Sequence, residues 1–350
     1  MASNSRLIDI KTVFGGLKIA ILLSLLISAI LILMTLDVDS FGKAIESINP
    51  GILLSILVLL LLNWFAAGLG FKIMTTTVGE KITLLEGVII YLAGSFISYV
   101  TPFATGGGPF QVYLLHKKGI NYGQATMVIL TQFVLRILFF TCSSFVFLLF
   151  FNKFISPGIV PPYIFYLAFG AGFLITTSLI LFSLIPGITD SLVNALFKIN
   201  RFRNYVKKSY KAKKILVKIR IEIREYHESM KLLSNNKLKL FLSLLCTITY
   251  WSTLFMIIPF ILIGLGLEPH FLQSYIMQTI FHLVIPYMPT PGASGIAELG
   301  FASVFISFIP RGIIGIVMIM WRFITFYFIL IVGGILALKE LGWKRRRKNE

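Results

Sequence analysis

Charge is scarce in this chain. Only 13% of its 350 residues are Asp, Glu, Lys or Arg, about half the share that a soluble domain of this length carries. Cysteine occurs twice, at Cys142 and Cys246, both inside apolar runs and at no metal-ligand spacing, which argues against a disulfide framework or a zinc site. A phosphate-binding P-loop, an H-E-x-x-H pair and a nucleophile elbow are all missing. The triple glycine at 106–108 lacks the following Lys and the strand-to-helix context of a nucleotide cradle. No catalytic residue, metal or cofactor is expected. An active site would have to use Glu298 as acid or base with no obvious second carboxylate beside it.

What the chain has in abundance is hydrocarbon. Hydrophobic residues make up 57% and the mean hydropathy is +0.89. The run IAILLSLLISAILILMTL (19–36) has about the length needed to cross ~30 Å of bilayer core. It is too long for a secretory signal and no A-x-A site follows it, so a retained transmembrane helix is expected there. Further apolar spans read at 51–71, 83–103, 124–151, 160–185, 238–265, 271–288 and 312–338. This is the pattern of a multi-pass membrane protein.

The formal charge is +18, with 32 Lys and Arg against 14 Asp and Glu. Residues 198–239 hold 14 of these cations, and KRRRK (344–348) closes the sequence. Basic clusters beside apolar spans set topology and attract anionic headgroups, so nucleic acid is not an expected partner. Cations at Lys72, Lys81, Lys117, Lys118, in 198–239 and at both ends mark the cytoplasmic side. Residues 82–116 and 271–309 must then each enter the membrane and return, turning at TPFATGGGPFQ (101–111) and at MPTPGASGIAE (288–298). Non-helical backbone at that depth has to line a cavity or be buried in protein.

The expected fold is therefore all-α: six full crossings plus two re-entrant helical hairpins inserted from opposite faces. It divides into an N-terminal transmembrane helix and outer loop (1–50), a first unit (51–186) and a basic cytoplasmic amphipathic segment (187–237). A second unit (238–339) and a basic tail (340–350) complete it, with both termini cytoplasmic at the cell membrane. Within the central segment VKIRIEIR (217–224) alternates like a strand, yet Ile215, Ile219, Ile223, Tyr226 and Met230 share a helical face. With no partner strand evident, an amphipathic helix or helix pair is expected.

An offset of 187 sets Trp64 on Trp251, Pro102 on Pro289, Gly108 on Gly295 and Gln111 on Glu298. An offset of 186 sets Arg136 on Arg322. The charge-derived topology runs the two units in opposite directions, so an inverted repeat is expected, with a site near the midplane as in secondary transporters.

Arg136 and Arg322 fall near the middle of their spans, where a cation costs at least ~2.5 kcal/mol and must face a partner or water. Glu298 opens a helix after a glycine break and is the natural partner. Two Arg and one Glu leave positive charge in excess, suited to phosphate or carboxylate. A plain Arg–Glu pair that fastens the hairpin to the bundle is the structural alternative. The expected transport site is Arg136, Arg322, Glu298 and Gln111, with Thr101, Thr105, Gly107, Gly108, Thr290, Gly292, Ser294 and Gly295 in the turns. Asn63, Gln132 and Gln278 read as interhelical hydrogen-bond partners, and His282 as a hydrogen-bonded packing residue before a proton relay.

TPFATGGGPFQ and PTPGASGIAELG resemble the two signature turns of the flippase-like membrane domain of lysylphosphatidylglycerol synthases, and the resemblance runs over nearly the whole chain. It implies movement of a lipid across the bilayer, in the synthases an aminoacylated phosphatidylglycerol. It also implies a stand-alone member, since no polar stretch here is long enough for the soluble aminoacyl-transfer domain. Expected partners are membrane lipids, anionic or aminoacylated. A separate lipid-modifying enzyme and a second copy of the chain are further candidates. A lysyltransferase-type lipid-modifying protein and a non-transporting lipid-binding scaffold are the alternative functions.

Overall fold

The computed structural model describes residues 50–150, 162–185, 191, 210–285 and 288–342. The span expected at 19–36 and the basic cluster 344–348 lie outside the described residues. Every regular element among those described is helical. The order is α1 (Pro50–Thr77), α2 (Leu84–Val100), α3 (Gly107–Lys117), α4 (Tyr122–Phe150), α5 (Pro162–Leu184), α6 (Tyr210–Asn235), α7 (Lys237–Gly264), α8 (Phe271–Val284), α9 (Ile296–Phe305), α10 (Ile314–Arg322) and α11 (Phe328–Glu340). A single π-helical turn, Phe323–Tyr327, carries α10 into α11.

Among the described residues four stretches are long and apolar enough to cross a membrane: Pro50–Thr77, Tyr122–Phe147, Lys237–Gly264 and Ile314–Glu340. A helix satisfies its backbone hydrogen bonds internally, which hydrocarbon demands. Apolar side chains can then point outward: Leu54, Leu57, Leu61 and Phe65 of α1 are all exposed, as lipid permits and water does not. The protein is a helical membrane protein.

The 28-residue helices α1 and α7 pack along each other. Asn63 of α1 donates to the Tyr250 carbonyl of α7 at 2.7 Å, and Gln278 of α8 donates to the Phe255 carbonyl at 2.7 Å. Each bond crosses between helices. Gln132 departs from the expectation. Its Nε2 is buried with no hydrogen-bond partner among the described residues, and it faces Gly70 of α1, where a Cβ would lie 3.6 Å away. Elsewhere small residues let backbones touch: any Cβ on Gly87 of α2 would run into the Gly68 carbonyl of α1.

The alternation in 217–224 is overruled in favour of a helix. A lone strand would leave its backbone unpaired, whereas α6 pairs internally and buries Tyr226, Ser229, Met230 and Leu233. Ile223 is half-buried, and the side chains of Ile215 and Ile219 lie outside what the structure describes. Arg220, Arg224 and Lys231 face outward. Glu222 accepts the Gly123 N–H at 2.6 Å and so caps the start of α4. On the same basic side Lys117 pairs with Glu340 at 2.8 Å and Lys118 with Glu86 at 2.7 Å, tying the ends of α2, α3 and α11.

Two helix–turn–helix units stand out. In the first, α2 and α3 flank a 3₁₀ turn at Pro102–Ala104; in the second, α8 and α9 flank one at Pro291–Ala293. The backbones match. Phe103 has φ 54 and ψ 18, and Gly292 has φ 61 and ψ 17. Ala104 and Ala293 follow, at φ 53 and 52. Equivalent turn positions therefore lie 189 apart, while α1 and α7 begin 187 apart. The gapless register is corrected by two: Pro102 matches Pro291 rather than Pro289, and Glu298 falls opposite Pro109 rather than Gln111. The second turn offers two prolines, and the left-handed residue that follows, not the first proline, marks the turn. The two 3₁₀ turns lie against each other, and the second also lies against α2.

Candidate functional site

The second turn is built around one carboxylate. Gly295 sits at φ 90 and ψ −56, where side chains are strained, and this aims its N–H back toward α9. Glu298, in the first turn of α9, accepts that N–H through Oε2 at 2.7 Å. Its other oxygen, Oε1, accepts Arg322 Nε at 2.8 Å. Both partners are withdrawn from the surface, Glu298 at 0% and Arg322 at 5% exposure.

Arg322 is held on several sides. Its guanidinium lies 4.6 Å from the Phe326 ring centre and 5.4 Å from that of Trp321, a favourable setting for a cation. An Nη2 hydrogen points at the Gly292 carbonyl, 3.4 Å away. Arg322 ends α10 just before the π-helical turn, and π-turns often mark functional positions. Tyr99, near the end of α2, donates to the Thr325 carbonyl within that turn at 3.3 Å. A Cβ on Gly292 would strike the Phe326 ring and lie 3.3 Å from the Tyr99 carbonyl. Glycine is thus required by space as well as by φ, and the end of α2 closes over the second turn.

Of the other candidates, Ser294 and Thr290 share this turn, and their hydroxyl oxygens are buried with no hydrogen-bond partner among the described residues. Arg136 is half-buried on α4 with its guanidinium 4.7 Å from the Phe133 ring centre. His282 donates from Nδ1 to the Gln278 carbonyl at 2.9 Å and is surrounded by Trp251, Phe255 and Phe281.

The first turn is built differently. Thr101 donates to the Ile97 carbonyl at 2.8 Å and accepts the Gly106 N–H at 3.0 Å. Thr105 donates to the Pro102 carbonyl at 3.0 Å. Both hydroxyls are used within the turn. Gly107 is where α3 meets α2, since a Cβ there would collide with Ser98. Gly108 has room for one, its nearest neighbour being Ile129 at 3.7 Å. Gln111 packs against Gly94 of α2.

Reasoning from sequence missed Tyr99, Trp321, Phe326 and the π-helical turn. Aromatic residues are too frequent here to single any out, and nothing in FITFY announces an extra residue per turn. Among the described residues no group of three His, Cys, Asp or Glu could hold a metal ion. What the site can do is bind charge: a guanidinium and a helix start converge on one buried anion position.

Comparison with known proteins agrees with the residues. The sequence matches the family described as the lysylphosphatidylglycerol synthase TM region over residues 21–333. A UPF0104 membrane protein of Archaeoglobus fulgidus is 28% identical over 339 residues, covering 95% of this chain and 99% of its own. A UPF0104 membrane protein of Pyrococcus horikoshii is 27% identical over 264 residues, covering 74% of this chain and 77% of its own. No solved structure gives a significant match. With most of its length matched, this chain belongs to the lysylphosphatidylglycerol synthase transmembrane-region family.

Proposed function

We propose that this protein moves a lipid with an anionic or aminoacylated headgroup across the cell membrane. In this reading the two helix–turn–helix units are re-entrant hairpins inserted from opposite faces. They belong to an inverted repeat with six full crossings, and both termini are cytoplasmic. The observation that carries the reading is the buried Glu298–Arg322 pair at the start of a broken helix, in a turn that lies against its counterpart. Intramembrane ion pairs are costly and mark pathways, and opposed broken helices are where secondary transporters hold charged substrate groups.

The headgroup phosphate would engage Arg322 and the α9 start while the acyl chains stay in hydrocarbon. Arg136, half-buried on α4, would supply the second positive charge. The family description, which names a lipid synthase, supports a lipid as the cargo.

The test is a flipping assay in proteoliposomes with a panel of labelled lipids. Translocation of phosphatidylglycerol or its lysyl ester is expected, and Arg136→Gln or Arg322→Gln should abolish it while the protein still reaches the membrane. Full activity in both variants would remove the proposal. Lysyl-lipid newly made by cells expressing this chain alone would replace it with a lipid-modifying activity. Lipid binding without flipping would favour a scaffold.

A further inference from the structure

The donors of an anion site meet at the second turn, and the chain's own carboxylate occupies them. Glu298 takes the Gly295 N–H at 2.7 Å and Arg322 Nε at 2.8 Å. A backbone N–H at a helix start and a guanidinium are the two groups that proteins most often turn toward phosphate. Beside them Ser294, 1% exposed, and Thr290 hold hydroxyls that bond to nothing among the described residues. Buried polar atoms are nearly always satisfied, so each exception needs a reason. Here the turn offers more donors than one carboxylate uses, and a phosphodiester brings more acceptor oxygens than a carboxylate does.

The geometry points to Glu298 as an internal occupant of the anion site, which a headgroup phosphate must displace from Arg322 in order to bind. The reason is charge. Arg322 and Glu298 form a neutral pair at 5% and 0% exposure. A second anion on the same guanidinium would sit beside the Glu298 carboxylate, and two buried anions side by side repel strongly whatever second cation Arg136 supplies. The phosphate and the carboxylate therefore alternate on the guanidinium. A released carboxylate needs water, a proton or another cation, so the exchange requires the turn at Gly292–Gly295 to move away from its neighbours. These include the first turn. Headgroup binding and separation of the two turns become one event. The inference rests on the translocation reading only in taking an anionic lipid as the ligand.

The experiment uses the full chain in nanodiscs of phosphatidylcholine, to which phosphatidylglycerol, uncharged diacylglycerol or inorganic phosphate is added. A membrane-permeant carbodiimide reports whether the Glu298 carboxylate is accessible, read by peptide mass spectrometry. Labelling of the wild type should be low at rest and rise about tenfold with phosphatidylglycerol but not with diacylglycerol. Glu298→Gln and the shorter Glu298→Asp, shown by melting to be folded, should bind phosphatidylglycerol about tenfold tighter than the wild type, because no internal competitor holds Arg322.

Phosphatidylglycerol that binds and depends on Arg322, with labelling unchanged or with folded variants binding no tighter, overturns the displacement and leaves the anion site standing. Phosphatidylglycerol that fails to bind, or that binds Arg322→Gln as well as the wild type, overturns the site itself. Inorganic phosphate raising the labelling as far as phosphatidylglycerol does would keep the displacement and overturn the lipid as ligand. If neither variant folds, labelling of the wild type decides alone.

Discussion

Arg322 of α10 and Glu298 of α9 meet at 2.8 Å, their side chains 6% and 0% exposed. An ion pair this deep is costly to halve. Removing one partner of a buried pair typically costs about 3–5 kcal/mol, because the other charge is left without compensation. Arg322→Gln alone should lower the melting temperature of the purified protein by many degrees. The double variant Arg322→Gln with Glu298→Gln should recover most of that loss. A double-mutant cycle by thermal melting in detergent measures the coupling, and strictly additive losses would show that the pair is not a unit.

The turns predict opposite effects for glycine and for its replacement. Gly295→Ala places a Cβ at φ 90, and left-handed backbone costs a side chain roughly 1–2 kcal/mol. Phe103→Gly reverses the situation in the first turn. Phe103 sits at φ 54 with 53% of its surface exposed, so its ring gains little burial to offset the strain. That variant should melt higher, by an amount corresponding to about 0.5–1 kcal/mol. Gly108→Ala, where a Cβ has room, should be nearly silent.

Two glutamines facing other helices should respond differently to the same change. Gln278 donates to the Phe255 carbonyl and to the Ser274 hydroxyl, so Gln278→Leu removes the bond that ties α8 to α7 and one within α8. Gln132 has a buried Nε2 without a partner among the described residues, and replacing an unsatisfied amide with an apolar group of similar size is neutral or stabilising by about 1 kcal/mol. Melting curves of the two variants should therefore move in opposite directions, or Gln132→Leu should not move at all.

A pH effect is expected at the basic end of the bundle. Glu225 of α6 is held above the usual carboxylate range, first by burial and then by the charges of Glu222 and Glu228. A carboxyl whose value is raised in the folded protein costs nothing below its unfolded value of about 4.3. Its destabilising effect develops as pH rises through the folded value and persists at neutrality. Glu225→Gln should therefore raise the melting temperature at pH 7, and the difference should vanish as pH falls toward 4. A constant difference across that range would assign the effect to packing.

Much of this protein is legible without coordinates, because hydropathy and charge are local properties. Runs such as 51–71 and 238–265 become α1 and α7 since a hydrocarbon solvent leaves a spanning segment little choice but to satisfy its own backbone. Pro-Gly interruptions at 101–111 and 288–298 become turns because proline and the left-handed residues after it cannot continue a helix. Only the tertiary structure decided which groups meet. Glu298 could have faced either arginine; the structure joins it to Arg322 and sets Arg136 over Phe133. The turns register 189 apart instead of 187, which removes Gln111 as the counterpart of Glu298. Among the described residues the Gln132 Nε2 is left without the partner that Asn63 and Gln278 found. Each of these outcomes depends on how one helix is rotated and shifted against another. That rotation is set by packing among residues far apart in the chain, and no local pattern encodes it.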